Sequence, residues 1–136
     1  MKYLLDTNVC IVYLNGRNTY LRNKLYQSNP SDIAICSIEK AELFFGAMRS
    51  HNPQGNLLKQ KRFLSQFKSL PFEDKAASVF GTIRAELAFK GTPIGPYDLM
   101  IAAIALAHNM ILITHNVREF KRIDNLQIED WEISLL

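Results

Sequence analysis

Three acidic side chains lie beside apolar sequence, where a carboxylate is costly unless something compensates its charge. Asp6 directly follows the apolar run 3–5, Glu42 falls near the apolar side of a helical pattern, and Asp98 opens the most apolar segment of the chain. If the fold brings these acids together, they cannot all stay ionised without a counter-ion. An all-oxygen ligand set suits Mg²⁺, with Mn²⁺ as a substitute, rather than zinc. The three acids therefore indicate a divalent-metal site.

Each acid also has a simpler interpretation. Asp6 suits a turn or a helix cap, and Glu42 suits an internal salt bridge. Asp98 suits a helix N-terminus, where free backbone N–H groups stabilise a carboxylate. The case for a shared site therefore depends on whether the fold makes the three acids converge.

Polar residues near the acids could support such a site. Thr7 and Asn8 follow Asp6 and could hydrogen-bond a ligating oxygen or a metal-bound water. Asn116 follows the apolar run "ILIT", and Glu119 comes three residues later. Glu119 is either a fourth acid of the site or a surface partner of a neighbouring arginine.

The elements that must position these residues alternate between short apolar runs and helical patterns. Strands are predicted at 3–5 and within "DIAICS", "LPF" and "MILIT", and helices at 9–14, 19–27, 38–48, 57–67, 73–90 and 98–108. Such alternation predicts an α/β fold, a single-domain α/β/α sandwich of residues 1–136 with a central, mainly parallel sheet. The segment after residue 114 should complete this domain, with Trp131 in its packing. Polar residues that follow strands then face the crevice at the carboxyl edge of the sheet.

The helix around Glu42 bears most directly on the site. Its residues Ile38, Ala41, Phe45 and Met48 are predicted to face the core, which places Glu42 at or near the interior. The nearby Glu39 is predicted to be a solvated acid of the first turn, where it suits the helix dipole.

Composition excludes several classes of protein. The 136 residues carry 16 Lys and Arg against 13 Asp and Glu, a net charge of +3 that only weakly favours a polyanionic partner. Cys10 and Cys36 stand in apolar sequence, as buried thiols do in proteins of a reducing compartment. There is no secretion signal and no stretch of ~20 apolar residues, so a cytoplasmic protein without a membrane segment is expected.

The motifs around these acids resemble those of PIN-domain ribonucleases of the VapC type, the toxins of bacterial toxin–antitoxin pairs. The resemblance rests on "LLDTNVCI", "SIEKAELFFGA", "GTPIGPYDLMIAAIALAHNMILITHN" and "VREFKRI", in this order over nearly the whole chain. It implies a Mg²⁺- or Mn²⁺-dependent endoribonuclease. Asp6, Glu42 and Asp98 match the catalytic, metal-binding acids of the family, and Thr7 matches its supporting hydroxyl.

The resemblance also implies partners. The family cleaves transfer RNA or a ribosomal RNA loop, which makes initiator tRNA a candidate substrate. Its members form homodimers and are neutralised by a cognate antitoxin. Phe44, Phe45 and Met48 could bind a helical antitoxin segment beside Glu42, or could belong to the core. Candidates for RNA phosphate contacts beside the crevice are Arg118, Lys121 and Arg122, with Lys59, Lys61, Arg62 and Arg84 more distant in the sequence.

Two other functions stay open. Asp6 could be the nucleophile of an aspartyl-phosphate phosphatase, although Asn8 stands where a D-x-D motif needs its second acid. The chain could also be a non-catalytic RNA- or protein-binding module, because Asn116 stands where the VapC family often carries Asp. Either Glu119 compensates for this difference, or the site holds only one metal tightly. The histidines lack metal-ligand spacing and are assigned to structural or surface positions: His51, His108 and His115.

Overall fold

Five short strands form a parallel sheet in the computed structural model, which describes residues 1–134. The strands are β1 Tyr3–Leu5, β2 Ile33–Cys36, β3 Lys68–Leu70, β4 Ile111–Ile113 and β5 Ile128–Glu129. Their order across the sheet is β3-β2-β1-β4-β5, and every neighbouring pair is parallel. The central strand β1 places Leu4 opposite Ala34 on one side and Leu112 on the other. The carboxyl ends of β1, β2 and β4 therefore lie side by side, where the strand order reverses.

Helices connect these strands. Within residues 1–134 they are α1 Thr7–Asn15, α2 Thr19–Gln27, α3 Ser37–Arg49, α4 Pro53–Leu64, α5 Asp74–Lys90, α6 Pro96–Ala107 and α7 Val117–Phe120, with a 3-10 turn at Pro30–Asp32. α4 begins earlier than predicted because Asn52 caps it and Pro53 suits its first position. α1 and α5 end at Gly16 and Gly91, which adopt a left-handed φ of 71°. In the described part of the chain, no helix is long and apolar enough to cross a membrane.

Two hydrophobic cores cover the two faces of the sheet, as the predicted α/β/α sandwich requires. α5 and α6 pack against Leu4 and Leu112 on one face, and α1 to α4 contribute to the core around Leu5 and Ile35 on the other. Leu4 and Leu5 belong to opposite cores because successive side chains alternate across a strand. Burying one such leucine stabilises the fold by about 1.5–3 kcal/mol. The paired cores thereby fix the sheet and the edge at which its strands end.

The segment after β4 adds a fifth strand to the sheet, whereas the sequence predicted only that this segment completes the domain. Ile113 of β4 lies opposite Glu129 of β5, and the buried Trp131 packs edge-to-face on Tyr3 with ring centroids 4.9 Å apart. The sequence prediction missed β5, which has two residues, and assigned a turn to "HNVREF", where α7 forms. Both elements matter because they bring polar residues of the C-terminal segment to the carboxyl edge of the sheet.

Candidate active site at the carboxyl edge of the sheet

Asp6 is the residue at which the central strand ends and α1 begins. It is 3% exposed; its Oδ1 accepts a 2.8 Å hydrogen bond from Thr7 N–H, and its Oδ2 accepts a 2.9 Å bond from Thr114 Oγ1. Burial raises the pKa of Asp6, and repulsion from Glu42 and Glu119 acts in the same direction. The two hydrogen bonds oppose this rise without cancelling it. The strand-end carboxylate is therefore buried, oriented and surrounded by other acids.

Glu42 is tied to the start of α1 by a side-chain hydrogen bond. Thr7 Oγ1 donates to Glu42 Oε1 at 2.7 Å, although 35 residues separate the two in the chain. Because the backbone N–H of Thr7 bonds Asp6, one threonine orients both carboxylates. Asn8, predicted to support the site beside Thr7, is exposed and makes no side-chain hydrogen bond within residues 1–134.

Asp98 lies in the first turn of α6, whose N-cap is Gly95. Its carboxylate accepts no hydrogen bond within the described residues, so helix capping does not account for it. Burial raises the pKa of Asp98 from 3.8 to about 6, and repulsion from Asp6, Glu119 and Glu42 adds to the effect of burial. The half-buried Asp98 is therefore within electrostatic reach of the other acids.

Asn116 and Glu119 are joined at the start of α7. Asn116 Nδ2 donates a 2.8 Å hydrogen bond to Glu119 Oε2. Glu119 also contributes to the raised pKa of both Asp6 and Asp98. No ion pair joins Glu119 to a neighbouring arginine in residues 1–134. Glu119 is therefore within electrostatic reach of Asp6 and Asp98.

Glu39 belongs to the same acidic region, and its predicted position in solvent is wrong. The residue is 0% exposed, and its Oε1 accepts a 2.6 Å hydrogen bond from Cys36 N–H. Burial raises the pKa of Glu39 well above its usual range, and repulsion from Asp6 and Glu42 acts in the same direction. The sequence did not suggest this because acids in the first turn of a helix are usually solvated.

The side of α3 that faces the core also differs from the predicted side. Leu43 and Ala47 are buried in line with Glu39, whereas Phe45 and Met48, which were predicted to face the core, are 61% and 60% exposed. Apolar residues lie on both sides of this helix, so helical periodicity alone could not select the side that packs.

An open groove lies between α1, α3 and α4, next to the exposed residues of α3. It has a volume of about 200 Å³, and its wall includes Ile11, Leu14, Gly46 and Lys59. Phe44 is half-buried against the adjoining core. The sequence left open whether Phe44, Phe45 and Met48 bind a partner or belong to the core. Phe45 and Met48 are exposed and available to a partner, whereas Phe44 packs mainly against the core.

Basic residues predicted beside the crevice are exposed at α7. Arg118 lies in α7, and Lys121 and Arg122 follow it. Arg122 Nη1 donates a 3.4 Å hydrogen bond to Pro93 O. The more distant candidates make contacts elsewhere: Lys61 lies over the Phe44 ring, Arg84 lies over the Phe80 ring, and Lys59 lines the α1–α3–α4 groove.

In the described part of the chain, the acids of the site have no cationic partner in an ion pair. The ion pairs there join Lys90 to Asp124 and His115 to Asp130. Uncompensated carboxylates that offer only oxygen ligands fit a hard divalent cation.

Ligand spacing limits how such a cation is held. Within residues 1–134, three ligand atoms of His, Cys, Asp or Glu lie within 4.8 Å of one another only in the group His115, Asp130 and Glu132. The carboxylates of Asp6, Glu42 and Asp98 do not meet this spacing as a trio. If one ion binds all three carboxylates, their side chains must move closer together. If two adjacent ions bind, each ion needs only some of the three carboxylates as ligands.

His115 and Asp130 form a second polar group at the same edge. His115 Nδ1 lies 2.9 Å from Asp130 Oδ2, and Glu132 N–H donates a 2.9 Å hydrogen bond to Asp130 Oδ1. The sequence pattern does not connect these residues, because β5, which brings Asp130 beside β4, has only two residues. The assignment of His115 to a surface position agrees with its exposure.

Comparison with known proteins identifies the class to which this fold and site belong. The family model for the PIN domain matches residues 3–126, a range that contains β1 to α7 and the five acids from Asp6 to Glu119 described above. The chain is therefore a PIN-domain protein.

Its relatives within this class are VapC ribonucleases. The chain is 43% identical over 131 residues to the tRNA(fMet)-specific endonuclease VapC of Salmonella typhimurium, covering 96% of this chain and 98% of that protein. It is 41% identical over 133 residues to ribonuclease VapC2 of Rickettsia felis, covering 97% and 99%. The chain belongs to the VapC family of PIN-domain ribonucleases.

Solved structures of the same family share the fold. The structure of DNA-bound VapBC from Salmonella typhimurium superimposes with a TM-score of 0.92 at 43% identity, covering 96% of this chain and 98% of that chain. VapBC2 from Rickettsia felis, bound to a DNA fragment from its promoter, gives 0.88 at 40% identity, covering 96% and 99%. The predicted α/β/α fold and the family resemblance are both confirmed.

Proposed function

We propose that this protein is a divalent-metal-dependent endoribonuclease that acts as the toxin of a toxin–antitoxin pair. One observation carries the proposal: a buried Asp6 carboxylate, oriented by Thr7 and Thr114, lies within electrostatic reach of Glu42 and Glu119 without a cationic partner. The ribonuclease and endonuclease names of the relatives support an RNA-cleaving hydrolase.

We propose Mg²⁺ as the cofactor, with Mn²⁺ as a substitute. PIN-domain nucleases generally use a divalent metal, and the oxygen-only donor set of this site fits such ions. Asp6, Glu42 and Asp98 would hold the metal, with Glu119 as a further oxygen donor. When bound, the metal polarises the phosphoryl oxygen, activates water and stabilises the leaving oxygen.

The chain's own residues position these carboxylates. Thr7 donates through its N–H to Asp6 and through its hydroxyl to Glu42, and Thr114 fixes the other Asp6 oxygen. Asn116 donates to Glu119 in the same way. We infer that Thr7 and Asn116 are supporting residues, whereas the exposed Asn8 can act only on bound RNA or on groups that enter the site.

We propose structured RNA as the substrate, with initiator tRNA as the first candidate. The Salmonella relative, at 43% identity, is named for cleavage of tRNA(fMet). Arg118, Lys121 and Arg122 are exposed beside the acidic edge, where they can neutralise RNA phosphates that the acids would otherwise repel.

We propose a cognate antitoxin as the protein partner. The Salmonella and Rickettsia structural neighbours are VapBC complexes, and the α1–α3–α4 groove lies beside the exposed Phe45 and Met48. An amphipathic helix can place its apolar face in such a groove. The family resemblance also implies a homodimer, which sedimentation equilibrium would test.

Cleavage of tRNA(fMet) tests the proposed activity. The wild type should cleave 5′-labelled tRNA(fMet) with Mg²⁺ and should stop when EDTA is added. Asp6→Asn should reduce cleavage to the buffer blank, whereas Asp74→Asn, the same change at an exposed acid of α5, should not. Cleavage by Asp6→Asn at the wild-type rate would contradict the assignment.

The same assay separates the two alternative functions. Binding of RNA without cleavage in either metal would support the non-catalytic module. A phosphoryl adduct on Asp6 would support the phosphatase, in which Asp6 is the nucleophile. If tRNA(fMet) alone is uncut, mapping the 5′ ends of cellular RNAs after brief expression would identify the substrate.

A further inference from the structure

Glu39 is a fully buried acid with one oxygen unused. Its Oε1 accepts the hydrogen bond from Cys36 N–H, and its Oε2 is buried without a hydrogen-bond partner in residues 1–134. The groups within electrostatic reach are the acids Asp6 and Glu42, the thiols of Cys10 and Cys36, and the ammonium of Lys40. The attraction of Lys40 is weaker than the repulsion from Asp6 or Glu42. Nothing in this surrounding compensates a full negative charge.

Burial and the nearby acids favour the protonated, neutral form of Glu39. An ionised carboxylate in a dry interior loses its hydration and is repelled by the two nearby carboxylates, and these costs exceed what the Cys36 hydrogen bond and Lys40 return. Burial is the largest cause that raises the pKa of Glu39, and the hydrogen bond from Cys36 does not offset it. A neutral Glu39 can still accept the Cys36 N–H hydrogen bond through Oε1.

The position of Glu39 connects it to the proposed catalytic acids. Cys36 is the last residue of β2, and the hydrogen bond at its N–H fastens the first turn of α3 to that strand end. Glu42 follows on the same helix, three residues later, and its carboxylate accepts the hydrogen bond from Thr7 at the start of α1. A shift of the first turn of α3 would move the Glu42 carboxylate relative to Asp6.

We propose that Glu39 is a positioning residue of the acidic site, held as a neutral carboxylic acid that anchors α3 and thereby sets the Glu42 carboxylate against Asp6. Its neutrality also limits the negative charge that a bound dication must balance. This inference rests on the proposed nuclease function, and it adds an acid that does not itself ligate the metal.

Two substitutions at position 39 separate this role from simple packing. Glu39→Gln keeps the acceptor for Cys36 N–H and has no charge, whereas Glu39→Leu fills similar space without an acceptor. Leu43→Ala is the matched control, because Leu43 is 2% exposed, one turn further on the same buried face. The half-saturating Mn²⁺ concentration is measured from the metal-dependent rise in Tm, and kcat and KM are measured on tRNA(fMet).

Glu39→Gln should stay within about three-fold of the wild type in Mn²⁺ half-saturation and in kcat. Glu39→Leu should raise the half-saturating Mn²⁺ concentration or lower kcat by roughly 10–100-fold, as loss of a group that orients a metal ligand does, with KM nearly unchanged. Leu43→Ala should lower Tm alone when it is assayed below its unfolding transition. The proposal is wrong if Glu39→Leu behaves like Leu43→Ala, or if Glu39→Gln is as impaired as Glu39→Leu.

An infrared difference spectrum tests the neutral state without any cleavage assay. Metal-free wild type minus Glu39→Gln at pH 7 should show the C=O stretching band of a protonated carboxylic acid. A carboxylate band in its place would overturn the inference, even if Glu39→Leu failed to fold. Absence of RNA cleavage by the wild type would instead count against the proposed function and leave this spectrum as the measure of Glu39.

Discussion

The hydroxyl of Thr7 donates a 2.7 Å hydrogen bond to Glu42 Oε1, joining the residue after the central strand to the middle of α3. The backbone N–H of the same threonine bonds Asp6 Oδ1. The distance between two proposed metal ligands is therefore set by one small side chain. This arrangement makes Thr7 the most direct place to test whether carboxylate orientation, as distinct from carboxylate charge, supports activity.

Thr7→Val removes the hydroxyl donor while keeping a side chain of nearly the same shape. We expect metal affinity or kcat to fall by roughly 10–100-fold, because Glu42 loses the group that orients it. Thr7→Ser keeps the donor and should retain activity within a few-fold. Mn²⁺-dependent Tm and cleavage rates measure both effects, and equal behaviour of the Val and Ser variants would exclude this role for the hydroxyl.

Asp98 predicts a pH dependence of stability in the metal-free protein. Its pKa is raised from 3.8 to about 6, so between these values the folded state holds a proton that the unfolded state has released. Stability should therefore fall as pH rises through this window and stay lower above it. Asp98→Asn should lack the part of this loss that Asp98 contributes and have a higher Tm than wild type at pH 7 in EDTA, with the difference shrinking toward pH 4.

The matched control for that experiment is Asp74→Asn, an exposed acid of α5. It should follow the wild-type curve of Tm against pH. Saturating Mn²⁺ should reverse the order at pH 7, because a bound cation stabilises the native state of the wild type more than that of the variant. A wild-type Tm that is flat between pH 4 and pH 7 in EDTA would contradict the expected protonation of Asp98.

Asn116→Asp should increase the dependence of the fold on metal. Asn116 Nδ2 donates to Glu119 Oε2 at 2.8 Å, and a carboxylate in its place would replace this bond with repulsion. We expect the metal-free variant to lose about 1–2 kcal/mol of stability and to gain more stabilisation from Mn²⁺ than the wild type. Asn116→Ala, which removes the donor without adding charge, is the control and should show no added response to Mn²⁺.

Arg118 should contribute to RNA affinity through phosphate contact. In the Asp6→Asn background, which prevents cleavage, Arg118→Ala should weaken tRNA binding and reduce the slope of log affinity against log salt concentration by about one. Lys75→Ala, an exposed lysine of α5, should leave the slope unchanged. Fluorescence anisotropy over a range of salt concentrations measures this, and an unaltered slope would remove Arg118 from the RNA-binding surface.

The parts of this site that sequence could predict are those tied to the strand pattern. Asp6 directly follows a short buried strand, and a residue in this position of a parallel sheet faces the crevice at the carboxyl edge. Glu39 could not be placed in the same way, because α3 is apolar on two sides and its charge suggested solvent. Periodicity shows that a helix is amphipathic, but it does not say whether an apolar face meets the core or a partner. The His115–Asp130 contact depends on β5, which is too short to give a pattern.

A substitution of Phe45 tests whether the exposed apolar side of α3 packs within the protein or binds a partner. It is 61% exposed, so Phe45→Ser should change the free energy of unfolding by no more than about 0.5 kcal/mol. If Phe45 is an anchor for the antitoxin, the same change should weaken antitoxin binding by about 2 kcal/mol, a loss of roughly 30-fold in affinity. Phe89→Ser on α5, where the residue is 93% exposed, is the matched control and should bind antitoxin normally. Calorimetric titration of both variants distinguishes the outcomes: equal affinities would place the antitoxin elsewhere, whereas a large loss of stability in Phe45→Ser would assign this residue to packing.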